Sequence, residues 1–433
     1  MTINSLYHEF LQSEGICTDT RKEVKGRLFF ALRGGNFDGN RFVPDALQKG
    51  CRLAITESRE LEGDSRVVCV PSALEALQKL AHLHRIHVSP QVLAITGSNG
   101  KTTTKELLSA VLSSKFTLLA TKGNLNNHIG VPLTLLSLER EEVAVIEMGA
   151  NHPGEIRLLA EIASPDFGLI TNVGKAHLEG FGSLDGVLNA KGELFDYLSD
   201  HGGKAIIDGR DQLLLKKAME TGVESLVIGP QGDLLVTGTI VNQSPFLEVE
   251  LNMDGVVHNL STSLVGSYNL QNILLAAGVG IQFGIPDKSI AGAIESYVPE
   301  NQRSQFVEGD RNQLILDSYN ANPSSMREAI NGLLEFASSP TMLILGDMAE
   351  LGDSSQEEHI ELKRWIESLP IDKILLVGPR FSEVSEPSSS LKVFRERSEL
   401  EEYLEATKPE GYLILIKGSR VMELEKILKF LVK

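Results

Sequence analysis

A glycine-containing turn that is followed by a lysine and three threonines offers the clearest chemistry in the chain. It lies between the apolar run 92–95 and leucines at helical spacing, which predicts a strand, a phosphate-binding loop and a helix. Backbone N–H groups and the helix N-terminus would bind phosphate, Lys101 would reach the β- and γ-phosphates, and the Thr102 hydroxyl could bind Mg²⁺. The loop residues are Gly97, Ser98, Asn99, Gly100, Lys101, Thr102 and Thr103. The sequence therefore predicts a nucleoside triphosphate site, with an ordinary tight strand-to-helix turn as the alternative.

Two polar side chains follow apolar runs that are typical of buried strands. Glu147 ends the run from Val143, and His177 comes shortly after the run that starts at Phe167. Carboxyl ends of parallel strands line the ligand crevice of an α/β sheet, so we expect both residues near Thr102 and any metal. The alternatives are a solvated loop glutamate and a histidine that only forms structural hydrogen bonds.

Lys191 falls on the apolar stripe of a predicted helix, which is formed by residues 184, 187, 188, 195 and 198. A lysine that faces inward must lower its pKa, pair with an anion or be modified, because a bare buried ammonium is costly. A neutral amine can react with CO₂ to give a carbamate, which is an oxygen ligand suited to Mg²⁺. The alternative is that the lysine reaches solvent along its own stem.

Composition excludes several classes of function. The chain has 433 residues, 58 acidic against 41 basic side chains and a net charge of −17, so nucleic acid and anionic membranes are not expected partners. No apolar run approaches ~18 residues, so no membrane span is expected. Cys17, Cys51 and Cys69 form no disulfide or metal pattern, which favours a cytoplasmic protein.

The pattern of strands and helices predicts three α/β domains, at residues 1–90, 91–300 and 301–433. In the first domain, an apolar run leads into a glycine-rich loop with Arg33, which suits a diphosphate or is simply a flexible hairpin. Residues 203–260 are expected to form an antiparallel extension of the central domain. In the third domain, strands at 314–316, 342–345, 374–377 and 413–416 alternate with helices.

Taken together, these stretches resemble the Mur ligase family, and the resemblance covers all three regions. The resemblance implies the three-domain Mur ligase fold: a small N-terminal α/β domain for a UDP-substrate, a central P-loop ATPase-like parallel sheet and a C-terminal Rossmann-like domain. The motifs that carry it are Thr-Asp-Thr-Arg at 18–21, Leu-Phe-Phe-Ala-Leu-Arg-Gly at 28–34, the loop at 97–104, Gly-Asn-Leu-Asn-Asn at 123–127, Glu-Met-Gly-Ala-Asn-His at 147–152, Thr-Asn-Val-Gly-Lys-Ala-His at 171–177 and Ala-Lys-Gly-Glu at 190–193.

Two stretches of the third domain, Tyr-Asn-Ala-Asn-Pro at 319–323 and Leu-Gly-Asp-Met-Ala-Glu-Leu-Gly at 345–352, resemble the branch that joins D-alanyl-D-alanine to UDP-N-acetylmuramoyl-tripeptide. The resemblance implies an ATP-dependent, ADP-forming ligase of peptidoglycan precursor synthesis. The implied cofactors are ATP, two Mg²⁺ ions and a carbamylated lysine. The two small-molecule substrates are the expected partners, and we expect a monomer.

The resemblance also implies roles for individual residues. Thr102 and Glu147 would bind one Mg²⁺, while Glu147, His177 and carbamylated Lys191 would bind the second. Besides the loop, the implied ATP contacts are Asn272, Arg303, Asp317 and Asn322. The implied catalytic residues are Lys101, Glu147, His177, Lys191 and Arg303. The implied UDP-substrate contacts are Thr20, Arg21, Ala31, Gly34, Asp38, Gly39, Asn126 and Asn127, and the dipeptide-side residues are Tyr319, Asn320 and Asp347.

Three positions depart from the family pattern. Asn40, Tyr268 and Gln302 stand where histidine, histidine and glycine are usual.

Two alternative functions remain open. A sister ligase that adds a single amino acid, or a folylpolyglutamate synthase, is the alternative within the fold. A non-enzymatic P-loop nucleotide switch is the alternative of another class, although no Asn-Lys-x-Asp motif for guanine is present.

Overall fold

The computed structural model of the chain describes residues 1–433 except 36, 62, 301, 338, 339, 385, 387 and 389. The described residues form five sheets, of four, two, six, three and six strands. Residue 301, where the predicted boundary between the second and third domains falls, lies outside the described residues.

The N-terminal region contains a short parallel sheet and a hairpin. Its strands are β1 (Ile16–Cys17), β2 (Leu28–Phe30), β3 (Arg33–Gly34), β4 (Phe37–Asp38), β5 (Leu53–Thr56) and β6 (Val67–Cys69), and its helices are α1 (Ile3–Leu11), α2 (Val43–Gln48) and α3 (Ala73–Val88). The parallel sheet has the order β1-β2-β5-β6, and β3 and β4 form the antiparallel hairpin. The described residues of the glycine-rich stretch therefore include the two short strands of this hairpin.

The central region is built on a six-stranded parallel sheet. Its strands are β7 (Gln91–Thr96), β8 (Leu118–Ala120), β9 (Val143–Glu147), β10 (Phe167–Ile170), β11 (Lys204–Asp208) and β12 (Glu224–Ile228), and its helices are α4 (Lys101–Ser113), α5 (Gly130–Leu135), α6 (Glu155–Ala163), α7 (Leu178–Phe181), α8 (Leu184–His201) and α9 (Gln212–Thr221). The strand order is β12-β11-β10-β7-β9-β8. Residues 92–96 of β7 are all buried because helices cover both faces of the sheet. The loop at 97–100 consequently leaves the middle of the sheet.

The prediction of an antiparallel extension over residues 203–260 is partly wrong. Strands β11 and β12 belong to the parallel sheet, since α9 provides the crossover between them. Only β13 (Val236–Gln243), β14 (Leu247–Met253) and β15 (Val256–Ser261) form an antiparallel sheet. Two helices, α10 (Asn269–Gln282) and α11 (Asp287–Ser296), then return and pack against α4.

The C-terminal region is a second six-stranded sheet. Its strands are β16 (Gln305–Glu308), β17 (Gln313–Asp317), β18 (Thr341–Gly346), β19 (Lys373–Val377), β20 (Leu391–Phe394) and β21 (Leu413–Lys417), and its helices are α12 (Pro323–Phe336), α13 (Ser355–Glu367), α14 (Pro379–Val384) and α15 (Arg397–Thr407). The order is β16-β17-β21-β18-β19-β20, with β16 antiparallel. The four predicted strands are confirmed, whereas the edge strands β16 and β20 were not predicted.

Membrane-spanning candidates were sought among the helices of the described ranges. None of these helices is both long enough and apolar enough to cross a bilayer.

The packing of α10 against α4 generates a stability prediction. Leu275 is fully buried in α10, within the core that also contains Leu107 and Leu108 of α4. Leu275→Ala should lower the free energy of unfolding by about 2–5 kcal/mol, because it removes apolar contacts and leaves a cavity. Urea denaturation followed by circular dichroism measures this change. Leu213→Ala, at a side chain that is 37% exposed in α9, is the control and should cost under about 1 kcal/mol.

Candidate active site

The loop between β7 and α4 is fixed against the segment that follows β10. Gly97 has φ +145°, and a Cβ atom placed there would lie 2.0 Å from Thr171 Oγ1. Thr171 Oγ1 donates to Asn99 O at 2.6 Å, and Asn99 N donates to Asn172 Oδ1 at 2.9 Å. Gly174 N donates to Ser98 Oγ at 2.9 Å. Only glycine fits at position 97, and residues 171–174 thus set the shape of the loop.

Lys101 begins α4 and folds over the loop that precedes it. Its Nζ atom donates to Gly97 O at 2.5 Å and to Ser98 O at 3.2 Å. Burial in the cleft lowers the pKa of Lys101 to about 8, and the nearby carboxylate of Glu147 opposes this shift. The site therefore has a cation at the N-terminus of a helix, which is the arrangement that binds phosphate.

Glu147 ends β9 and is 2% exposed. Thr102 Oγ1 donates to its Oε2 atom at 3.0 Å, and Asn126 Nδ2 donates to its Oε1 atom at 2.8 Å. Lys105 Nζ lies 4.0 Å from Oε2 and donates to Thr121 O at 2.7 Å. The expected proximity of Glu147 and Thr102 is thus present, and Lys105, which the sequence analysis missed, supplies a buried positive charge beside them.

His177 and Lys191 lie on the same side of the central sheet. His177 is the residue before α7, and its ring meets that of Phe181 edge-on at 6.3 Å. Lys191 is 1% exposed in α8, its Nζ atom has no hydrogen-bond partner, and it lies 5.2 Å from the Phe181 ring. Burial, followed by the charge of Lys101, lowers the pKa of Lys191 to about 7. The stem of Lys191 therefore does not carry its amine to solvent.

The C-terminal region closes over the phosphate loop. Asn322 Oδ1 accepts a hydrogen bond from Ser325 N and caps α12, while Asn322 Nδ2 donates to Asn99 Oδ1 at 2.9 Å. Lys175 Nζ donates to Glu358 Oε1 at 2.7 Å. These contacts join the first turns of α12 and α13 to the central domain.

Several predicted nucleotide contacts also line the space between the two domains. Asp317 Oδ2 accepts a hydrogen bond from Lys417 Nζ, which also donates to Asn320 O at 3.2 Å. The Arg303 guanidinium lies over the Tyr319 ring at 3.9 Å. These groups face the phosphate loop from the C-terminal domain.

Many of the residues above line a cleft with a cavity volume of about 530 Å³, whereas Thr102, Lys105 and Lys191 lie outside its lining. Of the predicted site residues, the structure brings into its lining Ser98, Asn99, Gly100, Lys101, Thr103, Asn126, Asn127, Glu147, His177, Asn272, Arg303, Asp317, Tyr319, Asn320 and Asn322. Asn272 lies against Gly100, where it accepts a hydrogen bond from Thr104 Oγ1 at 3.0 Å. The roles assigned to these side chains remain predictions.

Other predicted residues lie elsewhere. Both oxygens of Asp347 accept hydrogen bonds from the first turn of α14, at Arg380 N and Phe381 N, so its carboxylate serves the fold of the C-terminal domain. The N-terminal candidates lie outside the described cleft, on the small sheet and its hairpin: Thr20, Arg21, Ala31, Gly34, Asp38 and Gly39. Their predicted contact with a UDP-substrate would extend the site beyond this cleft.

The three positions that depart from the family pattern have structural roles. Asn40 accepts hydrogen bonds from Thr56 Oγ1 at 2.5 Å and from Glu57 N at 3.1 Å. The Tyr268 hydroxyl lies 2.6 Å from Ser304 Oγ, and burial raises its pKa. Gln302 accepts a hydrogen bond from Arg420 at 2.9 Å. Each substituted side chain is therefore satisfied within the protein.

The sequence analysis assigned no site role to four charged residues, namely Lys105, Glu328, Glu350 and Lys417. Glu350 and Lys417 follow or end strands of the C-terminal sheet, which is the signal that could have found them. Glu328 lines the cleft from α12, and burial raises its pKa. Lys105 lies one helical turn beyond Lys101, yet nothing in the spacing distinguishes it from a solvated lysine.

Comparisons with known proteins agree with this arrangement. Residues 12–85 match the model of the Mur ligase family catalytic domain, residues 95–280 that of the Mur ligase middle domain, and residues 302–420 that of the Mur ligase glutamate ligase domain. The UDP-N-acetylmuramoyl-tripeptide--D-alanyl-D-alanine ligase of Bacillus subtilis is 33% identical over 100% of this chain and 96% of its own. The chain belongs to the Mur ligase family.

Solved structures extend the comparison for this Mur ligase. A crystal structure of MurF from Acinetobacter baumannii has a TM-score of 0.88 at 32% identity, with 100% of this chain and 98% of that chain covered. The MurF ligase of Thermotoga maritima in complex with ADP has a TM-score of 0.86 at 28% identity, with 97% of each chain covered. The predictions of the family, its three-domain α/β fold and a ligase are confirmed.

The contact between Gly97 and Thr171 generates a prediction for nucleotide binding. Gly97→Ala should weaken ADP binding at least about tenfold, because the added methyl group displaces Thr171 or the loop that cradles phosphate. Equilibrium binding of labelled ADP measures the effect. Gly292→Ala, in α11 with open space around its Cβ position, is the matched control. Equal affinity in the two variants would contradict the role of the close contact.

Proposed function

We propose that this Mur ligase is an ATP-dependent, ADP-forming enzyme that joins D-alanyl-D-alanine to UDP-N-acetylmuramoyl-tripeptide in peptidoglycan precursor synthesis. The full-length similarity to relatives of that name carries the proposal. The cleft supports it, since a phosphate loop, a buried carboxylate and a closing domain surround one space. ATP would bind to the loop at 97–103, with Asn272, Arg303, Asp317 and Asn322 around the rest of the nucleotide.

The reaction requires that a carboxylate be made reactive towards an amine. The γ-phosphoryl group passes from ATP to the substrate carboxylate, which gives ADP and an acyl phosphate. The dipeptide amine then attacks the carbonyl carbon, loses a proton and expels phosphate. Lys101 and the N-terminus of α4 stabilise the charge that gathers on the phosphoryl oxygens, and Arg303 faces the same space. The contact of Asn322 with Asn99 holds the C-terminal domain over the phosphate loop, and a closed cleft would exclude water from the acyl phosphate.

The residues present fit Mg²⁺ that is bound together with phosphate. Among the described residues, no group of three His, Cys, Asp or Glu side chains could hold a metal by itself. Mg²⁺ typically takes one or two carboxylates plus substrate phosphates, and the adjoining Thr102 hydroxyl and Glu147 carboxylate offer such a set. A second ion would take Glu147, His177 and a modified Lys191. When bound, Mg²⁺ offsets the negative charge between the phosphates and the carboxylate.

Lys191 is the residue that we propose to be carbamylated. Its Nζ atom is buried and has no hydrogen-bond partner, which is costly for an ammonium but not for a neutral amine. The amine adds to CO₂ with formation of an N–C bond and loss of a proton, so the product is an anion. That anion would balance the positive charge of nearby Lys101 and supply oxygen ligands.

The proposal also covers the oligomeric state, the cellular compartment and the residues that contact the substrates. Both substrates are small molecules, and the cleft is lined by side chains of a single chain. We therefore propose a monomer that acts in the cytoplasm, where ATP is supplied. The N-terminal residues Thr20, Arg21, Ala31, Gly34, Asp38 and Gly39 would contact the UDP moiety, with Asn126 and Asn127 nearer to the reacting carboxylate. Tyr319 and Asn320 would face the dipeptide.

The acceptor requirement tests the proposed function. ADP release from ATP with UDP-N-acetylmuramoyl-tripeptide should rise at least about tenfold when D-alanyl-D-alanine is added, because the amine is needed to complete the reaction. Single amino acids, and glutamate with folate, are the control acceptors and should leave the rate near its background. Preference for one of these acceptors would identify a sister ligase. GTP hydrolysis without any acceptor dependence would instead favour a nucleotide switch.

Removal of the Lys191 amine tests the carbamate. Lys191→Ala should lower kcat at least about a hundredfold, and a short-chain carboxylate such as acetate or propionate should partly restore it by occupying the vacated space as an anion. Steady-state ADP release in the presence and absence of these acids measures the effect. Lys216→Ala, at an exposed lysine of α9, is the control. Full activity of Lys191→Ala without added acid would remove the carbamate from the mechanism.

A further inference from the structure

Glu350 reaches from the C-terminal domain to a predicted site residue of the central domain. Its Oε2 atom lies 2.7 Å from His177 Nδ1, and its backbone oxygen accepts a hydrogen bond from Glu179 N at 3.4 Å. The two atoms are within contact distance, at an angle outside that of a regular hydrogen bond. One residue thus contacts both the histidine and the first turn of α7.

The loop that carries Glu350 is anchored on both sides. Met348 N donates to His359 Nε2 at 3.1 Å, and Met348 and Leu351 are buried in the core of the C-terminal domain. Glu350 itself has φ +62°. Gly352 has φ +51°, and a Cβ atom there would lie 3.1 Å from Glu179 Cα. The loop therefore presents the Glu350 carboxylate at a defined place and cannot withdraw without moving the domain.

The ring of His177 is held between two neighbours. Phe181, one turn further along α7, meets it edge-on, and Glu350 faces Nδ1. A neutral histidine whose Nδ1–H group donates a hydrogen bond to a carboxylate keeps an unprotonated Nε2 atom, which is the form that binds a metal or accepts a proton. His177 and Glu350 both line the cleft that contains Lys101 and Glu147. The contact thus determines which ring nitrogen serves the cleft.

We propose that Glu350 is a positioning residue of the ligase reaction: it fixes the ring and tautomer of His177, and it does so only when the C-terminal domain is closed. The inference rests on the proposed function, because it assigns His177 a part in that reaction. Closure would then complete the site as well as exclude water. Phosphoryl transfer would be slow in the open state even with ATP bound to the loop.

The chain supplies a matched control for simple domain docking. The ion pair of Lys175 with Glu358, at 2.7 Å, also joins the two domains, and Lys175 lies only two residues before His177. Glu358 is 6% exposed, and its carboxylate accepts a hydrogen bond from Lys175 Nζ rather than facing His177. Loss of the Glu358 carboxylate removes one of several contacts between the domains and leaves the histidine untouched, whereas loss of the Glu350 carboxylate removes an interdomain contact and the partner of His177.

Kinetics of the full-length chain separate the two effects. Glu350→Ala should lower kcat for ADP release at least about tenfold with KM for ATP within about twofold, as for other residues that orient a reactive histidine. Glu350→Gln should stay within about threefold of the wild type, because its amide oxygen still accepts the Nδ1 proton. Glu358→Ala should also stay within about threefold, because the contact of Asn322 with Asn99 still joins the two domains. Equal losses of kcat in Glu350→Ala and Glu358→Ala would overturn the proposal, as would a tenfold weaker binding of ADP to Glu350→Ala.

The state of the ring provides a readout that does not depend on turnover. In ADP-bound protein with ¹⁵N-labelled histidine, the His177 signals, identified by their loss in His177→Gln, should show a protonated Nδ1 atom in the wild type and in Glu358→Ala. That pattern should be lost in Glu350→Ala. Unchanged His177 signals in Glu350→Ala would overturn the proposal. A wild-type enzyme without D-alanyl-D-alanine-dependent ADP release would instead overturn the proposed function, so the two failures are distinguishable.

Discussion

The close packing of the phosphate loop on residues 171–174 is the constraint on which the rest of the site depends. Gly97 has no side chain, so the loop can lie directly on Thr171, and the hydroxyl and amide groups of Thr171 and Asn172 then hold Asn99. The same segment continues into Lys175 and His177. One backbone contact thus positions the nucleotide site and the surface on which the C-terminal domain docks.

The site contains several positively charged side chains although the chain as a whole is acidic. The protein has a net charge of −17, yet Lys101, Lys105 and Lys191 are concentrated around the cleft, and burial lowers the pKa of the first and the last. Glu106 and Glu147 lie close to Lys105, whereas the Nζ atom of Lys191 has no hydrogen-bond partner among the described residues. Buried positive charge without anions is costly, and a triphosphate or an anionic modification would relieve that cost. The local excess of positive charge therefore favours polyanionic ligands that the protein surface repels.

Much of the central sheet and of the phosphate loop could be predicted from the sequence, because the patterns there have a single physical meaning. Continuous apolar runs identified β7, β9 and β10, and the glycines with Lys101 identified the loop between β7 and α4. Helical spacing placed Lys191 on a buried face, although Leu184 at the start of the same stripe is 45% exposed. The crossover from β11 to β12 was not predicted, because short strands do not reveal their pairing partners. The contact between Glu350 and His177 joins residues that are far apart in sequence, and it depends on how two domains meet.

The contacts of Lys105 limit which mutations could change the substrate specificity of the protein. Its ammonium bonds the carbonyl of Thr121 and lies beside Glu147, so the helix of the phosphate loop and the asparagine-rich segment after β8 are joined at one buried atom. That segment also reaches Glu147 through Asn126. Mutations that reshape the segment to accept another donor molecule would therefore disturb the nucleotide site as well.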